Sequence, residues 1–345
     1  MSASSAPNRE MPALTGQLLQ IATGYMPAVC LQATARLKIA DLLSDNPKTV
    51  SVLAREAMGV NEGALYRILR GLASIGVFSE VAPRTFANTP ASSLLREGVP
   101  GSVRDIVLWL ANPLHLRVFA EVQYSIETGN TALKKMTGLE TFDYFKQHPA
   151  EEEVFNAAMT GLSAQVAGAV LDTYDFSGLG TLADIGGGHG FLLGAILQKH
   201  PELRGIIFDL PQVVEGARSH LESLGLTLRC QIASGDVFQG VPPADNYLMK
   251  SIIHDWDDTR AIAILKNCAA SMRGDHGKVI LLEFIINPGN DAEFGKWIDL
   301  EMLLFAGGRE RTEAEYADLF SKAGLRLSRV VRTKSPVCVV EAVKA

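Results

Sequence analysis

The spacing of apolar side chains changes character along the chain. Residues 12–100 predict helices followed by a short extended pair. Gln17 to Ala40 is apolar with many small residues and carries Ile21, Met26, Val29, Leu31 and Leu37. Asn61 opens a further stretch in which Leu65, Ile68, Leu69, Leu72 and Ile75 share one helical face. Gly76 stands where that helix would close on a left-handed residue. Val77-Phe78 and Thr85-Phe86 flank Ala82-Pro83-Arg84, a turn signal between two strands. Helices and a hairpin in this order predict a winged-helix domain. Residues 101–165 predict a helical connector. Val103 to Leu110 stops before Asn112-Pro113, and Glu151 to Val166 is amphipathic through Val154, Phe155, Ala158, Met159, Leu162 and Val166.

From about residue 178 short apolar runs alternate with helical stretches. The runs are Leu182–Ile185, Gly205–Phe208, Leu228–Ile232, Tyr247–Met249 and Val279–Leu282. Helices are expected near Phe191–Lys199, Pro211–Leu224 and Thr259–Met272. This alternation predicts an α/β domain over residues 166–345, an open, doubly wound, mainly parallel sheet with helices on both faces. Leu325–Val331 and Val337–Val343, joined through Lys334-Ser335-Pro336, predict an antiparallel hairpin at one edge.

Charge narrows the reading of the first domain. The chain carries a net charge of -6. Residues 1–100 hold nine basic and seven acidic side chains, a balance of +2. That is thin for a surface that tracks phosphates. Arg67 and Arg70 on the amphipathic helix would be exposed in any helix, so contact with another protein is favoured over DNA. An apolar share of 47% is enough to fill real cores. No continuous apolar run approaches the roughly 20 residues of a membrane helix. Met1 to Asn8 are small and polar, read as a frayed terminus and lack the apolar core of a secretion signal. Cys30, Cys230, Cys268 and Cys338 are scattered, without disulfide or metal-ligand spacing, and a reduced cytoplasmic setting is expected.

The sharpest motif is Asp184-Ile185-Gly186-Gly187-Gly188-His189-Gly190, between an expected strand and an expected helix. Glycines there let the chain turn sharply and let a ligand approach the backbone. The spacing is G-x-G-x-G, whereas a dinucleotide fingerprint has G-x-G-x-x-G. Asp184 would repel a pyrophosphate and suits a cationic or zwitterionic ligand. A generic tight turn is the plainer alternative. Asp209 ends the next strand, where an acid can accept both hydroxyls of a ribose, or else cap the helix that begins at Pro211. Asp236 follows the third strand, beside an adenine or in an ordinary turn. His254 falls at the end of the fourth strand, on the rim of the glycine loop, where a histidine can take a proton. Glu283 ends the fifth strand, and Glu310 lies in Gly307-Gly308-Arg309-Glu310-Arg311-Thr312. Either carboxylate could fix the imidazole tautomer, and Glu310 could equally be solvated beside two arginines.

Taken in order, the glycine motif, Phe208-Asp209-Leu210-Pro211, Gly235-Asp236, Met249-Lys250, His254-Asp255-Trp256, Leu282-Glu283 and Gly307 to Thr312 resemble one family. It is that of the small-molecule O-methyltransferases, which includes plant caffeate and flavonoid, hydroxyindole and bacterial antibiotic-pathway enzymes. The resemblance runs from about residue 12 to the end. It implies a Rossmann-like methyltransferase sheet and methyl transfer from S-adenosyl-methionine to a hydroxyl of a small aromatic acceptor. It also implies a homodimer built on the winged-helix domain, and no metal; charge and the lack of a long apolar run set aside nucleic acid and membrane as partners. It implies His254 as general base between Glu283 and Glu310. Cofactor contacts would come from Asp184, Gly186, Gly188, Asp209, Leu210, Asp236, Val237 and Lys250, with Ser163 near the methionine carboxylate. Phe155, Met159, Met302 and Phe305 would line the acceptor pocket, or else be plain core. Two positions depart from the plant-type pattern. Leu304-Phe305-Ala306 stands, one residue short, where those enzymes carry an asparagine, and Glu151 replaces an aromatic residue. A nitrogen or carbon acceptor, and a winged-helix regulator that only senses a ligand, are the competing readings.

Overall fold

A computed structural model of the protein describes residues 11–44 and 46–345. The reading made for Met1 to Asn8 lies outside them. The chain forms two compact units that meet between His115 and Leu116, a division that falls within the expected connector.

The first unit begins with helices Met11–Ala22, Tyr25–Arg36 and Ile39–Leu42 where one apolar stretch was expected. Lys38, with φ of 53°, breaks the stretch before the last of them. Helix Glu62–Ser74 is capped by Asn61, whose side chain accepts from the Ala64 amide. It buries Leu65, Leu69 and Leu72, while Ile75 stays exposed beyond its end. The hairpin Phe78–Ala82 and Thr85–Asn88 turns through Arg84 at φ of 56°, and the short strand Lys48–Thr49 completes a three-stranded wing. The Arg84 guanidinium stacks over Tyr66 and pairs with Glu62, so one of the few cations near this helix is already engaged. By contrast Leu14, Leu18, Leu19, Ile21, Tyr25 and Met26 on the first two helices are exposed.

The second unit is layered. Its principal elements are α1 (Pro149–Thr173), β1 (Thr181–Ile185), α2 (Phe191–Lys199), β2 (Arg204–Asp209), α3 (Ala217–Ser223), β3 (Cys230–Ser234), β4 (Asn246–Lys250), α4 (Asp258–Ser271), β5 (Lys278–Phe284), α5 (Gly295–Glu301), α6 (Glu313–Lys322), β6 (Leu325–Arg332) and β7 (Val337–Lys344). The sheet runs β3-β2-β1-β4-β5-β7-β6. Strands β1 to β5 are parallel, and β7 is antiparallel to both β5 and β6. Successive residues of a strand face opposite ways. Leu182, Ile207, Leu248 and Ile280 meet α1, α2 and α3 on one side. Ala183, Ile206, Tyr247 and Val279 meet α4 and α6 on the other. Covering both faces explains why these strands read as continuous apolar runs.

Three expectations shift. The third strand begins at Cys230, not Leu228, because the preceding residues turn: Leu228 is 92% exposed, and Arg229 reaches the carbonyls of Leu197, His200, Pro201 and Leu203 at the end of α2. The helix expected over Pro211–Leu224 parts at Glu215-Gly216. A Cβ on Gly216 would lie 2.7 Å from the His189 ring, so the bend leaves room for that imidazole. Finally, α1 is long and apolar enough to cross a membrane by length and composition, with mean hydropathy 1.4 over 18 residues. Asn156, Thr160, Ser163 and Gln165 interrupt its apolar residues, so no continuous run marks it in the sequence. Its Val166, Ala167 and Val170 pack into the sheet core.

Candidate active site

In a sheet of this order the crevice lies where the strand sequence reverses, between β1 and β4, at their carboxyl ends. The glycine loop leaves β1 there. Gly186 has φ of 70°, and a Cβ on it would come within 2.2 Å of Ile252 on the loop after β4. Position and conformation both demand glycine. Gly188 donates its amide to Asp209 Oδ2 at 2.8 Å, and Asp209 Oδ1 accepts from Leu210 at 2.7 Å. The acid at the end of β2 therefore fixes the loop at the end of β1. Burial raises its pKa, opposed by those two amides. Asp184 is 2% exposed, and burial pushes it up to about 7, against the pull of Lys250. Lys250, also desolvated, is lowered by burial and held charged by Glu283, Asp184 and Asp255. Asp236 Oδ1 accepts from the Phe238 amide, an ordinary turn contact.

These residues border a cavity of about 540 Å³. Asp184, Gly186, Gly188, Asp209, Leu210, Asp236, Val237 and Lys250 all line it, as does Ser163. The Ser163 hydroxyl donates to Met159 O at 2.8 Å, so its oxygen is what it offers to a ligand in this rotamer. Three carboxylates around a glycine-rich backbone suit a ligand with a ribose and a positive charge, and a nucleoside sulfonium fits that description.

Much of the remaining lining is aromatic. Phe142 and Phe238 pack on Trp256 with centroids 5.8 and 4.9 Å away, and Phe145 stacks on Phe155 at 4.8 Å. All five border the cavity, with Met159. Met302 and Phe305 do not, which corrects their place in the expected pocket. Both are buried in the π-helical turn Met302–Ala306, and Ala306 reaches the cavity instead.

His254 lies on the short 3-10 turn Ile253–Asp255 after β4 and is 6% exposed. Its Nδ1 is 2.6 Å from Glu310 Oε1 and 3.6 Å from Glu283 Oε2. Glu283 Oε1 accepts from the amides of Ile252 and Ile253 at 3.1 and 2.9 Å, so it supports the turn as well as the ring. Burial disfavours the imidazolium, but Glu283, Glu310 and Asp255 together outweigh it and raise the His254 pKa. A carboxylate on Nδ1 assigns the neutral proton to that nitrogen and leaves Nε2 as acceptor. The imidazole does not itself line the cavity, whereas its neighbours Ile252, Asp255 and Trp256 do. Nε2 lies 3.6 Å from Asp255 Oδ1.

Asp255 is thus a site residue that the sequence reading quoted only as part of a motif. Asp299 was missed too: its Oδ1 accepts from the Glu310 amide at 2.8 Å. Nothing in its local sequence marks it. Gly308 was quoted without a reason, and the structure supplies one. A Cβ there would come within 2.0 Å of His254 O, so the two loops can meet only through a glycine.

Comparison with known proteins shows the family. Residues 119–326 match the model of the O-methyltransferase domain, and residues 19–98 match that of the O-methyltransferase dimerisation domain. A phenazine O-methyltransferase of Lysobacter antibioticus is 43% identical over 95% of this chain and 96% of its own. The crystal structure of LaPhzM superposes with a TM-score of 0.91 at 43% identity, covering 96% of this chain and 99% of the other. An 8-amino-8-demethylriboflavin N,N-dimethyltransferase of Streptomyces davaonensis is 33% identical over 89% of each chain. The fold and the site define a class I methyltransferase. The chain belongs to the O-methyltransferase family and is an S-adenosyl-methionine-dependent O-methyltransferase.

Proposed function

We propose that the protein transfers a methyl group to a hydroxyl of a small, flat aromatic acceptor of phenol, flavonoid or polyketide type. His254 is the general base, and no metal takes part. The observation that carries this is the placement of an aromatic chamber and a carboxylate-braced imidazole beside one glycine-loop cavity. When bound, S-adenosyl-methionine supplies an electrophilic methyl on its sulfonium. The chain's residues do the rest. Asp209 and the glycine loop hold the nucleoside, and the walls around Trp256 and Phe155 orient the acceptor. Nδ1 of His254 stays bonded to Glu310 while Nε2 takes the acceptor's proton. A phenol titrates near 10 in water, so a positioned base is useful at neutral pH.

A nitrogen acceptor is the second reading, favoured by the dimethyltransferase relative. A neutral amine already presents its lone pair, so it would draw less on His254. Methyl transfer assayed by mass over matched phenols and anilines tests the choice. Transfer to anilines alone would sink the oxygen reading. A DNA-shift assay without transfer to any acceptor would favour the regulator reading.

The homodimer belongs to the same proposal. The exposed apolar side chains of the first two helices, Leu18 at 67% and Ile21 at 66% among them, need a cover. Leu18→Glu with Ile21→Glu should halve the mass seen by light scattering. An unchanged dimer would place the interface elsewhere.

A further inference from the structure

Beside the base lies a buried cation that the reaction as described does not use. Arg311 is fully buried. Its Nη1 donates to Ile253 O at 3.1 Å and to Arg309 O at 3.2 Å. Its Nη2 donates to Trp256 O at 2.8 Å and to Asp258 Oδ1 at 2.9 Å, which Nε also reaches at 3.2 Å. Taking a guanidinium out of water costs several kcal/mol, and a paired apolar core often serves stability as well. The distribution of these bonds therefore carries information. Two of the carbonyls bracket His254 in the chain, one on the residue before it and one two residues after.

The backbone of Arg311 ties the other side of the site. Ile286 donates its amide to Arg311 O at 3.2 Å, and Ile285 bridges to Arg311, just beyond Glu283 at the end of β5. The preceding residue is Glu310, bonded to His254 Nδ1. Thus one residue connects the His254 turn, the Glu283 strand end and the Glu310 loop. Contact between Gly308 and His254 O leaves the loops no slack. Only a planar fork with five donors can serve these acceptors together, because a lysine has one nitrogen.

We infer that Arg311 is the positioning residue of the base, holding the Ile253–Trp256 turn so that Nε2 of His254 meets the acceptor. This rests on His254 being the base. The groups that set the charge of His254 are Glu283 from β5, Glu310 from the Arg311 loop and Asp255 from its own turn. Lys250 acts on Glu283 and Asp255 from the end of β4. The Tyr316 hydroxyl of α6 adjoins Glu283, Glu310 and Arg311. A loosened turn moves the imidazole away from the carboxylates that raise it.

The test is Arg311→Lys, which keeps the charge and the pairing with Asp258 but not the fork. Single-turnover methyl transfer should fall about 10–100-fold, the scale of a displacement near 1 Å. The affinity for S-adenosyl-homocysteine should stay within about twofold, because the proposed cofactor contacts lie at the ends of β1, β2, β3 and β4. The apparent pKa of the rate should drop toward the free imidazole value, about 6.5. In a His254→Gln background the same change should cost almost nothing more, since there is no base left to position. If melting shows that Arg311→Lys does not fold, Asp258→Asn takes its place. It loosens the guanidinium while keeping its carbonyl contacts, and it should give a several-fold fall with the same pKa direction. An unchanged rate and pH profile in a folded variant overturns the inference. So does an undiminished loss in the His254→Gln background, which would make Arg311 merely structural. The base reading fails separately: a His254→Gln protein with near-normal rate removes both it and the purpose given to Arg311.

Discussion

The glycine-loop cavity and the histidine cluster beside it, the two ends of the site, are built on opposite plans. The cofactor end is made of backbone: turns at the ends of β1, β2 and β3, with one acid, Asp209, locking the glycine loop through Gly188. The other end, where the proposed base sits, is made of side chains that converge from three segments, His254, Glu283 and Glu310, all buried and with donor atoms within 4.8 Å of one another. The backbone of the cofactor end binds by shape and dipoles, while Asp184 beside the loop, raised by burial to about 7, gives this end one titration of its own. A cluster of ionisable side chains is poised to change its charge. The two ends should therefore respond to substitution in different observables, affinity at one and rate at the other.

The sharpest way to break that division is His254→Gln. Glutamine keeps approximate size and some hydrogen bonding but accepts no proton. The transfer rate on a weakly acidic phenol should fall about 10²–10⁴-fold, the usual worth of general-base catalysis. Calorimetry with S-adenosyl-homocysteine should show little change. If rate and cofactor affinity collapse together, the ends are not separable and His254 holds the fold of the rim. An acceptor already ionised at the assay pH must be avoided, because it needs no base.

The converse change is Asp209→Ala. It removes the acceptor for the Gly188 and Leu210 amides and, in the binding mode proposed above, a partner of the nucleoside. A lost charged hydrogen-bond partner costs about 1.5–3 kcal/mol, or roughly 10–150-fold in affinity for S-adenosyl-homocysteine. The single-turnover rate at saturating cofactor should be nearly kept. Equal affinity in the variant would end the assignment of Asp209.

This contrast also explains what the sequence made legible. The cofactor end is a local pattern, a strand followed by glycines, then an acid at the next strand end, and a reader can find it with no tertiary knowledge. The parallel sheet was legible for the same reason, since burial on both faces writes apolar runs into β1, β2, β4 and β5. The partners of His254 are different. Glu283 and Glu310 were named from strand ends and from resemblance, but Asp299, Gly308 and Arg311 act through contacts across 11 to 58 residues of chain that no local spacing reveals. Met302 and Phe305 misled for a related reason. An apolar residue beside a site looks alike in sequence whether it faces a cavity or the core, and the π-helical turn at Met302–Ala306 rotates these two inward.

The pH dependence should sharpen the comparison further. The base must be neutral, and the surrounding carboxylates raise its pKa. The single-turnover rate should thus climb with pH through one apparent pKa above about 6.5, a value that belongs to the coupled cluster. Stability should run the other way. A raised pKa in the fold means the imidazolium stabilises it, fully below the unfolded value near 6.5, and that contribution fades as pH rises through the raised value. A pH series of melting and of rate should therefore slope oppositely over this window. Cofactor affinity measured over the same range should follow Asp184, whose carboxyl ionises near 7, rather than the histidine cluster. A rate that falls with rising pH would contradict the assignment of His254.

The smallest effect expected is that of chelation. One histidine and two carboxylates with donors this close resemble a metal-ligand set, so the question is real. Only part of the set is committed, since Glu310 Oε2 and Glu283 Oε2 are buried without a hydrogen-bond partner. Glu310 Oε1 and His254 Nδ1 are joined at 2.6 Å, a direct charge-assisted hydrogen bond. Glu283 Oε1 is taken by two backbone amides. The third ligand is the obstacle: to use His254, a cation would have to displace Nδ1 from Glu310 or take Nε2, the nitrogen the proposed reaction needs. It would then leave the acceptor's proton without the base proposed here. Transfer measured after dialysis against excess chelator should match that of untreated protein, and added magnesium or zinc should not raise it. Activity lost on chelation and restored by one metal would reassign His254, Glu283 and Glu310 as ligands and move the chemistry of this end from proton transfer to Lewis-acid catalysis. With the Asp209→Ala affinity as an internal control, such a result would leave the cofactor end untouched.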